Sequence, residues 1–91
     1  MDQPIPQKGY SAEVRLELRA EGQVFDLAGI GPNKVTPRAP LELPVCIADV
    51  VMYIDGTGYL WPVRLPNGAV PFDKSVPTAP RGEMQRLGDA T

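Results

Sequence analysis

Residues 47–65 constrain this chain more than any other stretch. Two apolar segments are joined there by Asp55-Gly56-Thr57-Gly58. Asp-Gly between apolar runs is a favoured two-residue hairpin turn, because both residues accept the positive φ that matches strand twist. The second glycine, Gly58, also permits a longer loop. The first arm is apolar on both faces apart from Asp49: Ala48, Val50, Met52 and Ile54 lie on one face, Ile47, Val51 and Tyr53 on the other. Such a run suits a central strand covered on both sides. In the returning arm Tyr59, Trp61, Val63 and Leu65 share a face, while Leu60, Pro62 and Arg64 share the other. Pro62 lacks a ladder N–H, so this arm is expected at a sheet edge or broken at that point.

The rest of the chain reads as β structure too. Ala12, Val14, Leu16, Leu18 and Ala20 alternate with Glu13, Arg15, Glu17 and Arg19. A period of two describes a strand with one buried and one solvated face, although several of these residues favour helix by propensity. The alternating signs on the polar face permit ion pairs across it. Glu21-Gly22 makes a tight turn into a return strand over residues 23–28. Gly29 to Asn33 is turn chemistry, and residues 34–38 form a short strand demoted by Pro37. Prolines at 32, 37, 40 and 44 exclude a helix in that interval. Residues 38–44 then read as an extended connection, with Leu41 and Leu43 dipping into the core. Pro66-Asn67-Gly68 is a further turn, and residues 69–72 add a last short pairing. The expected fold is all-β: a meander, or a small partly open barrel or sandwich, of four to six short strands.

Size sets the next bound. The chain has 91 residues, one domain at most. Residues 1–9 and 73–91 are rich in Pro, Gly and polar residues and read as flexible tails, leaving a single domain over residues 10–72. A domain that small buries only about 60% of its unfolded surface, and such domains usually gain stability from disulfides, metals or association. A single cysteine, Cys46, makes no internal disulfide, and the chain has no histidine. Association with itself or with a partner protein is the remaining aid.

Charge and composition exclude several function classes. Nine basic against eleven acidic residues give a net charge of −2, which disfavours duplex nucleic acid and anionic membranes. No run approaches the ~20 apolar residues of a membrane span. The first residues, Met1-Asp2-Gln3-Pro4, resemble no secretory leader, and one free cysteine agrees with a reducing interior. The expected location is cytoplasmic. Gly29-x-Gly31 lacks the third glycine and following helix of a phosphate loop, and Cys46 lacks a histidine activator. No metal or other cofactor is expected. Asp26 and Asp49 each interrupt an apolar strand and are the candidates for histidine-free carboxylate catalysis, paired with Arg38 or Arg64. Asp55 belongs to the turn.

The aromatic arm is the strongest functional candidate. Tryptophan, tyrosine and arginine dominate interface hot spots. Tyr59, Trp61, Pro62 and Arg64 therefore form the expected partner-binding set, with Tyr53 nearby. The leading expectation is a non-catalytic protein-interaction or assembly module using an edge strand and this patch. The alternative is a small barrel that binds a ligand or single-stranded nucleic acid by stacking on Tyr53, Tyr59 or Trp61. Carboxylate catalysis is a remote third. Met84 and Leu87, spaced three apart, could form one or two helical turns on a partner, but a solvated, disordered tail is the leading reading of that segment.

Overall fold

A computed structural model describes residues 13–89. The expected N-terminal tail, residues 1–9, lies outside them. The described chain is all-β, without a helix. Its strands are β1 (Val14–Ala20), β2 (Gln23–Gly31), β3 (Lys34–Pro37), β4 (Cys46–Ile54), β5 (Thr57–Leu65), β6 (Val76–Pro77), β7 (Ala79–Pro80) and β8 (Gln85–Asp89).

Of the three two-residue hairpins among the described residues, β1–β2, β2–β3 and β4–β5, the first and last follow from their turn residues. Glu21 and Gly22 adopt φ of 54° and 73°, and Asp55 and Gly56 adopt 50° and 88°. Two successive positive φ values mark a type I′ turn, whose twist matches the flanking strands. Gly58 is consequently a strand residue, opposite Tyr53, and the longer-loop option is not used.

Strand order across the sheet is β6-β3-β2-β1-β4-β5-β7, with β8 also on β5 and every pairing antiparallel. β1, β2 and β3 follow one another as neighbours, and β4 returns through residues 38–45 to lie beside β1. That is a Greek key, and it leaves β4 central, as its doubly apolar sequence requires. β6 pairs with β3 at one end of the sheet and β7 with β5 at the other, yet only Thr78 separates them. Thr78 donates its N–H to the Asn33 carbonyl at 2.9 Å. This short stretch bridges both edges and makes the sheet a nearly closed barrel.

Two expectations change here. The described residues contain eight strands rather than four to six, and the paired structure does not stop at Phe72: β6, β7 and β8 all lie beyond it. Val76 is the apolar anchor of this segment, with 0% of its surface exposed. Two-residue strands carry no periodicity, and backbone hydrogen bonds hold them without a hydrophobic pattern. The second change concerns β5, which is no edge: β7 covers Val63 and Arg64, and β8 covers residues 57–60. Residues 69–72 contribute a single bridge, Leu43 to Ala69, with reciprocal N–H···O bonds of 2.9 Å.

The barrel interior holds Leu18, Leu27, Val35, Val50, Val63 and Leu65, with Leu41 and Leu43 sealing it from the connection. Burying each of the larger side chains is worth about 1.5–3 kcal/mol. The outer face carries a smaller buried cluster. Val51 is fully buried there, flanked by Glu17 on β1 and Leu60 on β5. Glu17 is 7% exposed because Arg15 and Arg19 fold over it, with N···O separations of 3.4 and 3.3 Å. Arg19 also donates to the Tyr53 hydroxyl at 2.7 Å, and the Arg15 guanidinium stacks 5.1 Å from that ring's centre. The alternating charges of β1 thus form a connected network over Tyr53.

Candidate functional site

The site begins with the curvature of β5. Val63 and Leu65 point into the closed part of the barrel and are buried, while Trp61, two residues earlier on the same face, stays half-buried. The reason is the seam. β3 and β5 do not pair with each other; β6 reaches β3 at Lys34 and Val35, and β7 reaches β5 at Val63 and Arg64. Above that closure the edges diverge and leave an open pocket of about 270 Å³. Ile30, Pro32 and Lys34 from the β2–β3 hairpin form one wall. Trp61, Pro62 and Val50 form the second, and Thr78, Pro80 and Gly82 form the third.

Pro62 has a specific place in this arrangement. Its carbonyl accepts the Arg81 N–H at 3.0 Å. The N–H and C=O of a residue in an antiparallel strand point to the same side, so the donor that proline lacks faces the same direction. That position falls in the gap between the β8 pairing at 57–60 and the β7 pairing at 63–64. The proline interrupts the ladder where the chain's own C-terminal segment is also interrupted. β5 itself runs unbroken through Pro62 against β4, so the strand is neither broken nor at a free edge; only its outer pairing has a gap.

Of the four sequence-selected residues, the structure unites two. Trp61 and Pro62 line the pocket. Tyr59 shares the Trp61 face but lies nearer the hairpin tip, opposite Met52 and Arg86, outside the pocket lining. Arg64 is exposed on the outer face, between Ile47 and Ala79. Tyr53 belongs to the Arg15–Glu17–Arg19 network on the other side of the sheet. Sequence reasoning missed Ile30, Pro32, Lys34, Thr78 and Pro80, because each comes from the β2–β3 hairpin or the β6–β7 stretch, remote in sequence from Trp61. The sole hint was an isoleucine set between two glycines.

The electrostatics of the pocket are simple. Lys34 is the one charged side chain lining it, and it makes no ion pair among the described residues. Its aliphatic stem lies along Gly31, where an added methyl group would meet Cγ at 3.0 Å. The bare glycine therefore lets the lysine run beside the pocket.

Arg81 anchors the third wall. Its Nε donates to the Val63 carbonyl at 2.8 Å, and its Nη2 to the Ala48 carbonyl and Asp49 Oδ1, both at 3.2 Å. Asp49 thus pairs with Arg81, not with Arg38 or Arg64. Asp26 is exposed and lines a different hollow, with Arg38, whereas Asp49 lines one with Arg19 and Arg81. The two carboxylates do not share a cavity. Asp55 holds the turn, accepting the Glu13 N–H at 2.9 Å on Oδ1.

Cys46 is half-buried against the core, and burial, with a smaller contribution from Glu21, raises its thiol above the ordinary value of 9.0. A thiol shifted that way is a poorer nucleophile at neutral pH. Gly29 and Gly31 belong to β2, around its bulge, and form no loop. Leu87 lies in β8, where it packs over Gly58, so residues 84–87 are not a helical turn. Among the described residues no three metal-ligating side chains cluster, and no helix is long and apolar enough to cross a membrane.

No protein-family model, curated protein or solved structure matches this chain.

Proposed function

We propose that this chain is a non-catalytic protein-interaction or assembly module, and that its binding surface is the seam pocket beside Trp61. One observation carries the reading. The chain's single tryptophan stands half-buried in the wall of an open apolar pocket, with Ile30, Pro32, Pro62 and Pro80 around it. Trp61 packs against the core on one side and leaves the rest of its surface to the pocket. Rigid proline walls hold the pocket open at little entropic cost, and a buried aromatic anchor site is the usual centre of a binding hot spot. The volume falls below the roughly 300–1,000 Å³ of small-molecule sites and suits one or two side chains of a partner. Strand addition along β5 is not part of the proposal, since β7 and β8 occupy that edge. Stacking on nucleic acid has less support, because Lys34 is the one basic residue in the lining. The half-buried free thiol Cys46 favours a reducing, cytoplasmic setting.

The test is site-specific photo-crosslinking of the full chain in extract of its source cells. A photoreactive residue at Pro32 is expected to give protein adducts that a second substitution, Trp61→Ala, removes, while the same group at Asp26 gives none. Equal labelling from both positions, or none from Pro32, refutes the assignment. Nuclease-sensitive adducts at Pro32 would transfer it to nucleic acid.

A further inference from the structure

The pocket has a counterpart on the chain's own surface. Residues 70–73 form a tight turn in which the Asp73 N–H donates to the Val70 carbonyl at 3.0 Å. The Val70 N–H returns a bond of 3.3 Å to Asp73 Oδ2. Pro71 and Phe72 fill the central positions, and proline presets the first of them. Phe72 is 90% exposed, the most exposed of the large apolar side chains described. A lone exposed apolar residue needs no explanation. A phenyl ring carried on a proline-stiffened, doubly hydrogen-bonded turn differs, because the backbone share of its ordering cost is already met before anything binds. The residue after it is acidic, and the seam pocket is apolar with a single unpaired cation, Lys34. Cavities of about 150 Å³ already admit benzene, so 270 Å³ accommodates this side chain.

We propose that the occupant of the seam pocket is a second copy of this chain: Phe72 of one molecule seats against Trp61 of the next, with Asp73 beside Lys34. The proposal rests on the pocket being a binding surface and names what fills it. Ring contacts between Phe72 and Trp61 take an offset or edge-on geometry. Plug and pocket are different patches, so the contact is heterologous and propagates head to tail into rings or open chains. One turn in one pocket buries little area, well under the roughly 1,200 Å² of stable interfaces. Association is therefore weak and follows mass action.

Sedimentation of the full chain across a concentration series tests this. The weight-average mass is expected to rise continuously with concentration. Phe72→Ala is expected to weaken association at least about tenfold. Ile30→Arg, on a partly exposed pocket residue, blocks the other end. Each variant alone stays monomeric, but a mixture of the two forms dimers and stops there, because each supplies the half the other lacks. Lys34→Asp and Asp73→Lys each weaken association, and their combination restores it. A wild-type chain that stays monomeric to about 1 mM, or a Phe72→Ala variant that associates normally, overturns the proposal. If Pro32 nevertheless crosslinks to a foreign protein, the pocket reading survives and only the self-copy falls; if it crosslinks to nothing, both fall.

Discussion

Arg81 is the residue whose removal should most clearly expose how the barrel is closed. The side chain crosses from the C-terminal segment to two strands and donates to the carbonyls of Val63 and Ala48 as well as to Asp49. Hydrogen bonds from a charged donor contribute about 1.5–3 kcal/mol each when well buried. The Arg81 side chain is 30% exposed, so water recovers part of that on deletion. The two carbonyl contacts together should then contribute about 2–3 kcal/mol. The ion pair is a lesser matter: with Asp49 37% exposed, it is worth at most about 1 kcal/mol. A domain of this size has a total stability of about 4–12 kcal/mol, so Arg81→Ala removes a sizeable share. With a urea m-value of about 1 kcal/mol/M, the midpoint should fall by about 2–4 M. Urea unfolding followed by Trp61 fluorescence and far-ultraviolet circular dichroism measures both quantities. Asp49→Asn under the same conditions should cost less than half as much. Equal losses from the two variants, or less than about 0.5 kcal/mol from Arg81→Ala, would refute the claim that the carbonyl contacts clamp the segment to the barrel.

Two further predictions concern backbone shape and ionisation. Gly68→Ala should cost more than about 3 kcal/mol or abolish folding, because at φ 61° an added Cβ would lie 2.3 Å from the Leu43 carbonyl oxygen. Gly22→Ala, at φ 73° in open space, should lose only the left-handed penalty of about 1–2 kcal/mol; similar melting points for the two would show that the Gly68 clash is relieved. Cys46 has a raised folded-state pKa, so its neutral form is favoured by folding. That stability is complete below the unfolded pKa and is lost as pH climbs through the folded value, above about 9.0. The gap in unfolding free energy between wild type and Cys46→Ala should therefore shift against the wild type from pH 7 to pH 10.5, and parallel curves would contradict it. Ellman's reagent should also label the native thiol more slowly than the urea-unfolded one.

Much of the architecture was legible from short-range chemistry. The alternation in β1, the Asp-Gly and Glu-Gly turns, the extended run with Leu41 and Leu43 and the doubly apolar β4 all describe residues whose neighbours in sequence decide their role. The charge network over Tyr53 was foreshadowed by the alternating signs of β1, though the burial of Glu17 was not, since it depends on how two arginines fold back. β6, β7 and β8 escaped notice because a strand held by backbone bonds needs no apolar period. The edge position assigned to β5 failed for the same reason. Pro62 forbids one ladder bond, and that requirement is met equally by an open edge or by a gap in an otherwise covered one. Trp61 and Pro62 both line the seam pocket, but the residues facing them there lie about thirty positions before and twenty after, beyond the reach of local pattern.

The sequence alone determined an all-β chain, the positions of the hairpins at Glu21-Gly22 and Asp55-Gly56 and the central place of β4. Glycines at positive φ, a period of two and prolines that forbid helix act through local sterics and need no distant partner. Tertiary structure decided where the sheet closes, which face of β5 meets solvent and whether Tyr59 and Arg64 stand with Trp61 or apart from it. Those outcomes depend on residues 76–81 crossing from β3 to β5, a long-range closure held by backbone carbonyls and one arginine side chain. The hairpin at 47–65 has the same residues in either case. The strap across its outer edge turns a candidate edge strand into the wall of a pocket.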